Sequence, residues 1–129
     1  MKPGGPRVLV IDDDPQVKES LYAMIEREGW SFYSADNAEE AVAAVNDIQP
    51  EVIVLEPRAD QGRARALLVD VHQAGSWIPV ILYTSDPAID DAWALEHGAS
   101  GLMRTPLGEA LLRERIGELL NGRETDRPL

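Results

Sequence analysis

The chain has 129 residues, of which 44% are apolar and 27% charged, proportions typical of one soluble globular domain. Twelve Lys and Arg residues stand against 23 Asp and Glu residues, and the resulting net charge of −11 disfavours direct binding to nucleic acid or anionic membranes. The absence of cysteine excludes disulfides, thiolate catalysis and cysteine-ligated metals. The sequence has no apolar run long enough to span a bilayer and no apolar region of a secretory signal, so we expect a cytoplasmic protein.

Short apolar strands alternate with amphipathic helices along the chain. Residues 1–6 are rich in Gly and Pro and are expected to form a flexible N-terminal segment. One folded domain is predicted at 7–120, and a polar C-terminal tail at 121–129. Within the domain, runs of aliphatic residues predict strands at 7–11, 30–33, 52–55, 79–83 and 100–103. Capping residues, Pro and Gly predict that helices start at Pro15, after Asn37, at Ala64, at Asp86 and at Leu107.

The strands indicate the fold class. They are apolar throughout rather than alternating, which is typical of parallel strands covered by helices on both faces. Repeated β–α alternation therefore predicts an α/β fold, a doubly wound sheet of five parallel strands. Ligand sites in such sheets lie beyond the carboxyl ends of the strands, and this directs the search for function to 12–14, 56–58, 84–85 and 104–106.

Carboxylates are expected to converge at those strand ends. Asp12 and Asp13 follow the first strand and Glu56 follows the third, and such a set of hard oxygen ligands suits Mg²⁺. The alternative is that Asp12, Asp13 and Asp14 only cap the first helix. Thr84 ends the fourth strand, where its hydroxyl either donates to a phosphoryl oxygen or is satisfied locally.

Four sequence blocks, in order and spacing, resemble the receiver domain of two-component response regulators: VLVIDDDP (8–15), EVIVLEP (51–57), PVILYTS (79–85) and GASGLMRTP (98–106). The resemblance implies a flavodoxin-like (βα)5 sheet with strand order 2-1-3-4-5. It also implies an aspartate after the third strand that accepts a phosphoryl group, an acid pair that holds Mg²⁺, a hydroxyl residue and a lysine. The acid pair corresponds to Asp12 and Asp13, and the hydroxyl to Thr84.

The chain departs from that family pattern at three positions. Glu56 stands at the phosphoacceptor position, Thr105 at the lysine position and Leu102 at the position of the aromatic switch residue. Glutamate is one methylene longer than aspartate, and a displacement of about 1 Å can cost roughly a hundredfold in rate. Loss of the lysine removes a cation that would stabilise the transferring charge.

These departures predict an atypical receiver, or pseudo-receiver, that is not an enzyme and acts by phosphorylation-independent protein–protein interaction. The resemblance implies a histidine kinase, a phosphotransfer protein or an output domain as partner, and we expect a monomer or weak homodimer with weak or no Mg²⁺ binding. One alternative is a functional phosphoacceptor that uses Glu56 and Mg²⁺. A remote alternative is a small Mg²⁺-dependent phosphatase.

By analogy with the family, the docking surface is expected on the fourth helix, fifth strand and fifth helix. The helical spacing of Leu112, Ile116 and Leu119 predicts a core stripe. Leu111 and Trp93 are the predicted exposed apolar contacts.

Overall fold

The computed structural model describes residues 5–56, 64–75, 77–104 and 109–126, without the side chains of 64, 65 and 123–126. Strands and helices alternate through these stretches. The strands are β1 (Arg7–Ile11), β2 (Ser31–Ala35), β3 (Val52–Leu55), β4 (Val80–Thr84) and β5 (Gly101–Arg104). The helices are α1 (Pro15–Arg27), α2 (Ala38–Ile48), α3 (Ala64–Ala74), α4 (Asp91–Glu96) and α5 (Glu109–Asp126). None of the helices in these ranges is long and apolar enough to cross a membrane.

The strands form one parallel sheet in the order β2-β1-β3-β4-β5, which confirms the predicted topology. Ile11 of β1 pairs with Leu55 of β3, and Leu55 pairs with Leu82 of β4. The carboxyl ends of these three central strands therefore stop at nearly the same level. Residues that follow them are brought to one edge of the sheet.

The two faces of the sheet carry separate hydrophobic clusters. Leu9, Ile11 and Leu55 point to the face covered by α2, α3 and α4, whereas Val8 and Val10 point to the face covered by α1 and α5. Successive residues of each inner strand are thus buried on opposite sides. This explains why the strands are apolar at every position and confirms the doubly wound arrangement.

Local hydrogen bonds fix the starts of α1 and α2. Asp14 Oδ1 accepts from the backbone N–H of Gln16 at 2.9 Å, and Pro15 occupies the first helical turn. Asn37 Oδ1 accepts from the N–H of Glu40 at 2.9 Å. Both helices start where their capping residues predict.

Two helix boundaries and three strands differ from the sequence prediction, and β4 and β5 each lie one residue later along the chain than predicted. Helix α4 begins at Asp91 rather than Asp86, because Asp90 Oδ1 caps it by accepting from the N–H of Trp93 at 2.8 Å. Helix α5 continues to Asp126, into the segment predicted as a polar tail, since that segment contains no proline before 128. Its predicted start at Leu107 lies outside the described residues. Strand β2 starts one residue later than predicted and runs on to Ala35.

The exposure of the apolar side chains on α4 and α5 is partly as predicted. Leu112 and Ile116 are buried, and Leu119 packs partly buried against the same cluster. Leu111 is 46% exposed, as expected. The prediction for Trp93 is wrong, because its ring packs against the core and stacks on His97 with centroids 3.9 Å apart. Leu95 is the apolar residue that α4 exposes instead, at 79%.

Candidate functional site

Asp12 and Glu56 are neighbours at the carboxyl edge of the sheet. They directly follow Ile11 and Leu55, which are paired across β1 and β3. The ladder continues past that pair: the N–H of Glu56 donates to the carbonyl of Ile11 at 2.9 Å, and the N–H of Asp12 donates to the carbonyl of Ala35 at 3.0 Å. The backbone thus fixes both acidic residues at the expected edge.

Asp12 is one of two buried polar residues in the described ranges, with 5% of its surface exposed. Burial raises the pKa of its carboxyl, and the negative charges of Asp14 and Asp13 raise it further. The N–H of Asp14, which donates to Asp12 Oδ1 at 2.8 Å, opposes this rise, as does the charge of Lys18. The net effect is a carboxylate whose charge is disfavoured by its surroundings.

The predicted metal-ligand set is Asp12, Asp13 and Glu56. Asp13 is exposed and Glu56 is half-buried. In the part of the chain that the structure describes, no three Asp, Glu or His side chains are grouped closely enough to hold a metal ion. Asp14 caps α1, so the helix-cap interpretation is confirmed for Asp14, while Asp12 instead binds the backbone of Asp14.

Lys18 is a cation that the sequence interpretation missed. Its ammonium pairs with the carboxylate of Asp36, which follows β2, and its charge lowers the pKa of Asp12. Lys18 lies one helical turn after Asp14, and its pairing with Asp36 depends on how α1 packs beside the end of β2, which no sequence motif indicates. It provides positive charge on the α1 side of the acidic edge.

Thr84 is completely buried at the end of β4. Its Oγ1 accepts a hydrogen bond from the N–H of Asp86 at 3.0 Å, so the hydroxyl acceptor is satisfied locally. This bond occupies one lone pair of Oγ1, and the O–H group can still donate to another acceptor. Both sequence interpretations of Thr84 are therefore compatible with its geometry.

Tyr83 was also missed as a site residue. It follows Leu82, the partner of Leu55, and so stands in the same row of the sheet as Asp12 and Glu56. Burial raises the pKa of its phenol, and the carboxylates of Glu109, Asp12 and Glu56 raise it further. Its ring lines an open groove of about 400 Å³ between α1 and the start of α5. The groove is lined by Gln16, Val17, Ser20, Leu21, Tyr83 and Glu109.

At the β5 edge, Thr105, which was predicted to stand at the lysine position, lies outside the described residues. Leu102, at the aromatic switch position, is partly buried and packs against the core. Arg104 pairs with Thr84 in the β4–β5 ladder, and its guanidinium donates to the carbonyl of Asp86 at 2.8 Å. The Arg104 guanidinium is thus hydrogen-bonded to the β4–α4 turn.

The arrangement can supply carboxylate oxygens and a buried hydroxyl at one edge of a rigid sheet. Such a set can attract a cation or place an oxygen nucleophile next to a phosphodonor. A Ser–His–Asp set or a thiolate nucleophile is not available, because neither His72 nor His97 lies at this edge and the chain has no cysteine.

Comparison with known proteins agrees with this geometry. The model of the response regulator receiver domain matches residues 8–117. Protein PilH of Pseudomonas aeruginosa is 31% identical over 121 residues, which cover 90% of this chain and 98% of that protein. Transcriptional regulatory protein AruR of the same species is 34% identical over 120 residues, 89% of this chain but 49% of that protein. The chain thus spans between about a quarter and about half of the length of the transcriptional regulators it matches.

A solved structure shares the fold. The receiver domain protein (CheY-like) from Methanospirillum hungatei JF-1 superposes with a TM-score of 0.86 over 94% of this chain and 98% of that chain. Its sequence identity is 23%, so it supports the fold alone.

Proposed function

The chain belongs to the family of response regulator receiver domains of two-component signalling, and on that premise we propose that it is an atypical receiver. It acts by phosphorylation-independent protein–protein interaction. The observation that carries this proposal is Glu56, a glutamate that directly follows β3 and whose backbone N–H is held in the β1–β3 ladder. By sequence it corresponds to the acceptor aspartate that the resemblance implies.

The length of Glu56 weakens it as an acceptor. Its backbone is held in the sheet by the hydrogen bond to Ile11, so the extra methylene moves the carboxylate rather than the chain. A shift of about 1 Å is enough to cost roughly a hundredfold in a positioned reaction. The longer side chain also lets the Glu56 carboxylate partly mimic a phosphorylated acid. It carries one negative charge, against about −1.5 to −2 for a phosphoryl group, so the mimicry is incomplete.

Missing positive charge at the β5 edge adds to this effect. Threonine at 105 supplies no cation to a transferring phosphoryl group. Arg104 does not compensate, because its guanidinium binds the Asp86 carbonyl. Lys18 pairs with Asp36 on the other side of the acidic edge. Phosphotransfer is therefore weak or lost.

Receiver domains normally bind Mg²⁺ at the phosphorylation site. The donor chemistry of Asp12, Asp13 and Glu56 fits such an ion, and a cation would relieve the disfavoured charge of Asp12. The three side chains are not grouped as a formed site within the described ranges, so we propose weak binding or none. When bound, the ion would supply positive charge to carboxylates that otherwise repel one another.

The proposed partner is a protein: a histidine kinase, a phosphotransfer protein or an output domain. Leu95 and Leu111 are exposed apolar side chains on α4 and α5 and are available for such contacts. The acidic composition of the chain argues against nucleic acid as the direct partner. We propose a cytoplasmic monomer or weak homodimer that has no enzymatic activity of its own.

The second candidate is a working phosphoacceptor. The place of Thr84 at the end of β4 favours it, because its Oγ1 accepts from the Asp86 N–H and its O–H can still donate to a phosphoryl oxygen. In that reaction a Glu56 carboxylate oxygen would attack the phosphorus of acetyl phosphate. A new P–O bond to Glu56 would form, the old P–O bond would break, and acetate would leave.

Intact-protein mass spectrometry after incubation with acetyl phosphate and Mg²⁺ tests the two candidates. We expect no phosphoryl adduct in a folded preparation, and restoration of an adduct by Glu56→Asp, because the shorter side chain returns the carboxylate to the family position. Glu96→Gln, on the exposed surface of α4, is the matched control. An adduct on the wild-type protein that Glu56→Gln abolishes would establish the second candidate instead.

A further inference from the structure

The turn between β4 and α4 is organised by one residue, Asp86. Its N–H donates to Thr84 Oγ1 at 3.0 Å, and its carboxylate accepts from the N–H of Ala88 at 2.9 Å. Its carbonyl accepts from two donors, the N–H of Ile89 at 3.1 Å and the Arg104 guanidinium at 2.8 Å. Hydrogen bonds to a charged donor are usually the stronger ones, so the Arg104 contact is an important part of this set.

Arg104 reaches the turn from a neighbouring strand. It is the register partner of Thr84 in the parallel β4–β5 ladder, and its side chain extends two residues further along β4 to Asp86. Asp86 is therefore bound on one side by the buried hydroxyl and on the other by the exposed guanidinium. The next residues connect this turn to the core and to α4, because Ile89 is buried and Asp90 caps the helix.

We propose that Arg104 is a positioning residue that holds Thr84 and the β4–α4 turn in one arrangement through Asp86. Arg104 makes this bond across the sheet edge, whereas Leu102, on the same strand, has no polar group and packs against the core. The functional consequence, a permanently formed α4–β5 surface for a partner, rests on the proposed function above.

The proposal specifies which backbone amides depend on Arg104. The N–H of Asp86 donates to Thr84 Oγ1, and the N–H of Ile89 donates to the Asp86 carbonyl. Both amides are therefore protected from hydrogen exchange while the Arg104 guanidinium holds that carbonyl in place. Removal of the guanidinium leaves the carbonyl with the Ile89 bond alone, and the turn is then free to open. The effect should be local, because Arg104 is exposed and the core beneath it is unchanged.

Amide hydrogen exchange measured by NMR tests this on the full chain. We expect Arg104→Ala to speed exchange at Asp86 and Ile89 by about fivefold, the size expected for loss of one intramolecular hydrogen bond. Arg104→Lys should restore part of the protection, because its ammonium can donate to the same carbonyl. Arg113→Ala is the matched control, since Arg113 is an α5 arginine that faces Glu28 and not the turn.

A double-mutant cycle shows whether Arg104 acts on Thr84. If both residues act through Asp86, Thr84→Val combined with Arg104→Ala should speed exchange at Ile89 less than the product of the two single effects. Exchange within twofold of the wild type in Arg104→Ala, equal effects of Arg113→Ala, or independent effects in the cycle would overturn the proposal. No phosphodonor or partner enters the experiment, so a phosphoryl adduct on Glu56 would refute the proposed function without affecting this result.

Discussion

The carboxyl ends of β1 and β3 differ in construction from the carboxyl ends of β4 and β5, although all four belong to one sheet. At the first edge, Asp12 is buried among like charges and the pKa of its carboxyl is raised. At the second edge, Thr84, Asp86 and Arg104 satisfy one another by hydrogen bonds. The acidic edge keeps an unfavourable charge that a cation could relieve, whereas the polar groups at the β4–β5 edge are already paired by hydrogen bonds. One sheet thus holds, side by side, an edge suited to a ligand and an edge whose polar groups bind one another.

The largest expected effect concerns the packing that both edges share. Leu55 and Leu82 are fully buried register partners directly beneath the two edges. We expect Leu55→Ala and Leu82→Ala each to lower the free energy of unfolding by about 3 kcal/mol, because each leaves a cavity in a close-packed core. Urea denaturation measures both. A cost below about 1 kcal/mol for only one of them would show that the two edges differ in their packing and not only in their polar groups.

Thr84→Val tests the hydrogen-bonded β4–β5 edge. The substitution preserves shape but removes the acceptor for the Asp86 N–H, so we expect a loss of about 1–2 kcal/mol in the free energy of unfolding. Thr84→Ser keeps the hydroxyl and should recover most of that loss. Equal stability of Thr84→Val and the wild type would mean that the Asp86 N–H finds another acceptor.

Asp12→Asn tests the acidic edge and should raise the free energy of unfolding rather than lower it. An asparagine carbonyl can still accept from the Asp14 N–H without the buried charge, so we expect a gain of about 1 kcal/mol at pH 7. Urea denaturation measures the gain, and Asp47→Asn, on the exposed surface of α2, is the control. A loss of stability at low ionic strength would mean that the Asp12 charge is compensated in the folded protein.

The pH dependence of stability tests the same group. The folded pKa of Asp12 lies above the unfolded value of 3.8, so the folded protein binds more protons than the unfolded chain between those two values. The contribution of Asp12 to stability therefore rises as the pH falls through its folded pKa towards 3.8. The difference in unfolding free energy between Asp12→Asn and the wild type should shrink over that window, measured by urea denaturation at a series of pH values. A constant difference would contradict the raised pKa.

The smallest expected effect is on the phenol pKa of Tyr83, a residue that adjoins the acidic edge. Ultraviolet absorbance at alkaline pH follows its ionisation, and Tyr83→Phe identifies its contribution among the three tyrosines. Glu109→Gln should lower the phenol pKa only in part, because burial is the largest cause of its rise. Mg²⁺ bound at Asp12 and Glu56 should also lower it, so the titration reports on the cation without any phosphodonor. A pKa unaltered by Glu109→Gln would place that carboxylate away from the phenol.

Much of the fold could be predicted from the sequence because the strands carry their own signal. Buried parallel strands are apolar at every position, the strand at 52–55 has the predicted bounds, and α3 begins at the predicted Ala64. The start of α4 could not be resolved, because Asp86 and Asp90 are both capping residues and only the folded chain shows that Asp86 forms a turn. The prediction that Trp93 is exposed is wrong, since the ring of its neighbour His97 covers one face of the Trp93 ring.

The acidic edge was predictable because its residues follow strands directly. Asp12, Glu56 and Thr84 each end or follow an apolar run, and parallel strands bring such positions together. Lys18, Tyr83 and Arg104 were not predictable as site residues. Lys18 depends on the approach of α1 to the β2 end, and Arg104 on a side chain that crosses to the adjacent turn. These contacts join residues with no local sequence relation.

The central claim is that this receiver stays in one state whether or not a phosphodonor is present. Two-dimensional ¹H–¹⁵N NMR spectra of the full chain, recorded before and after addition of acetyl phosphate and Mg²⁺, test it most directly. We predict that the amide signals of Thr84, Asp86 and Arg104 keep their positions, with small shifts from Mg²⁺ alone confined to Asp12, Asp13 and Glu56. A concerted shift of the β4–α4 turn and β5 that requires acetyl phosphate, and that Glu56→Gln abolishes, would contradict the claim.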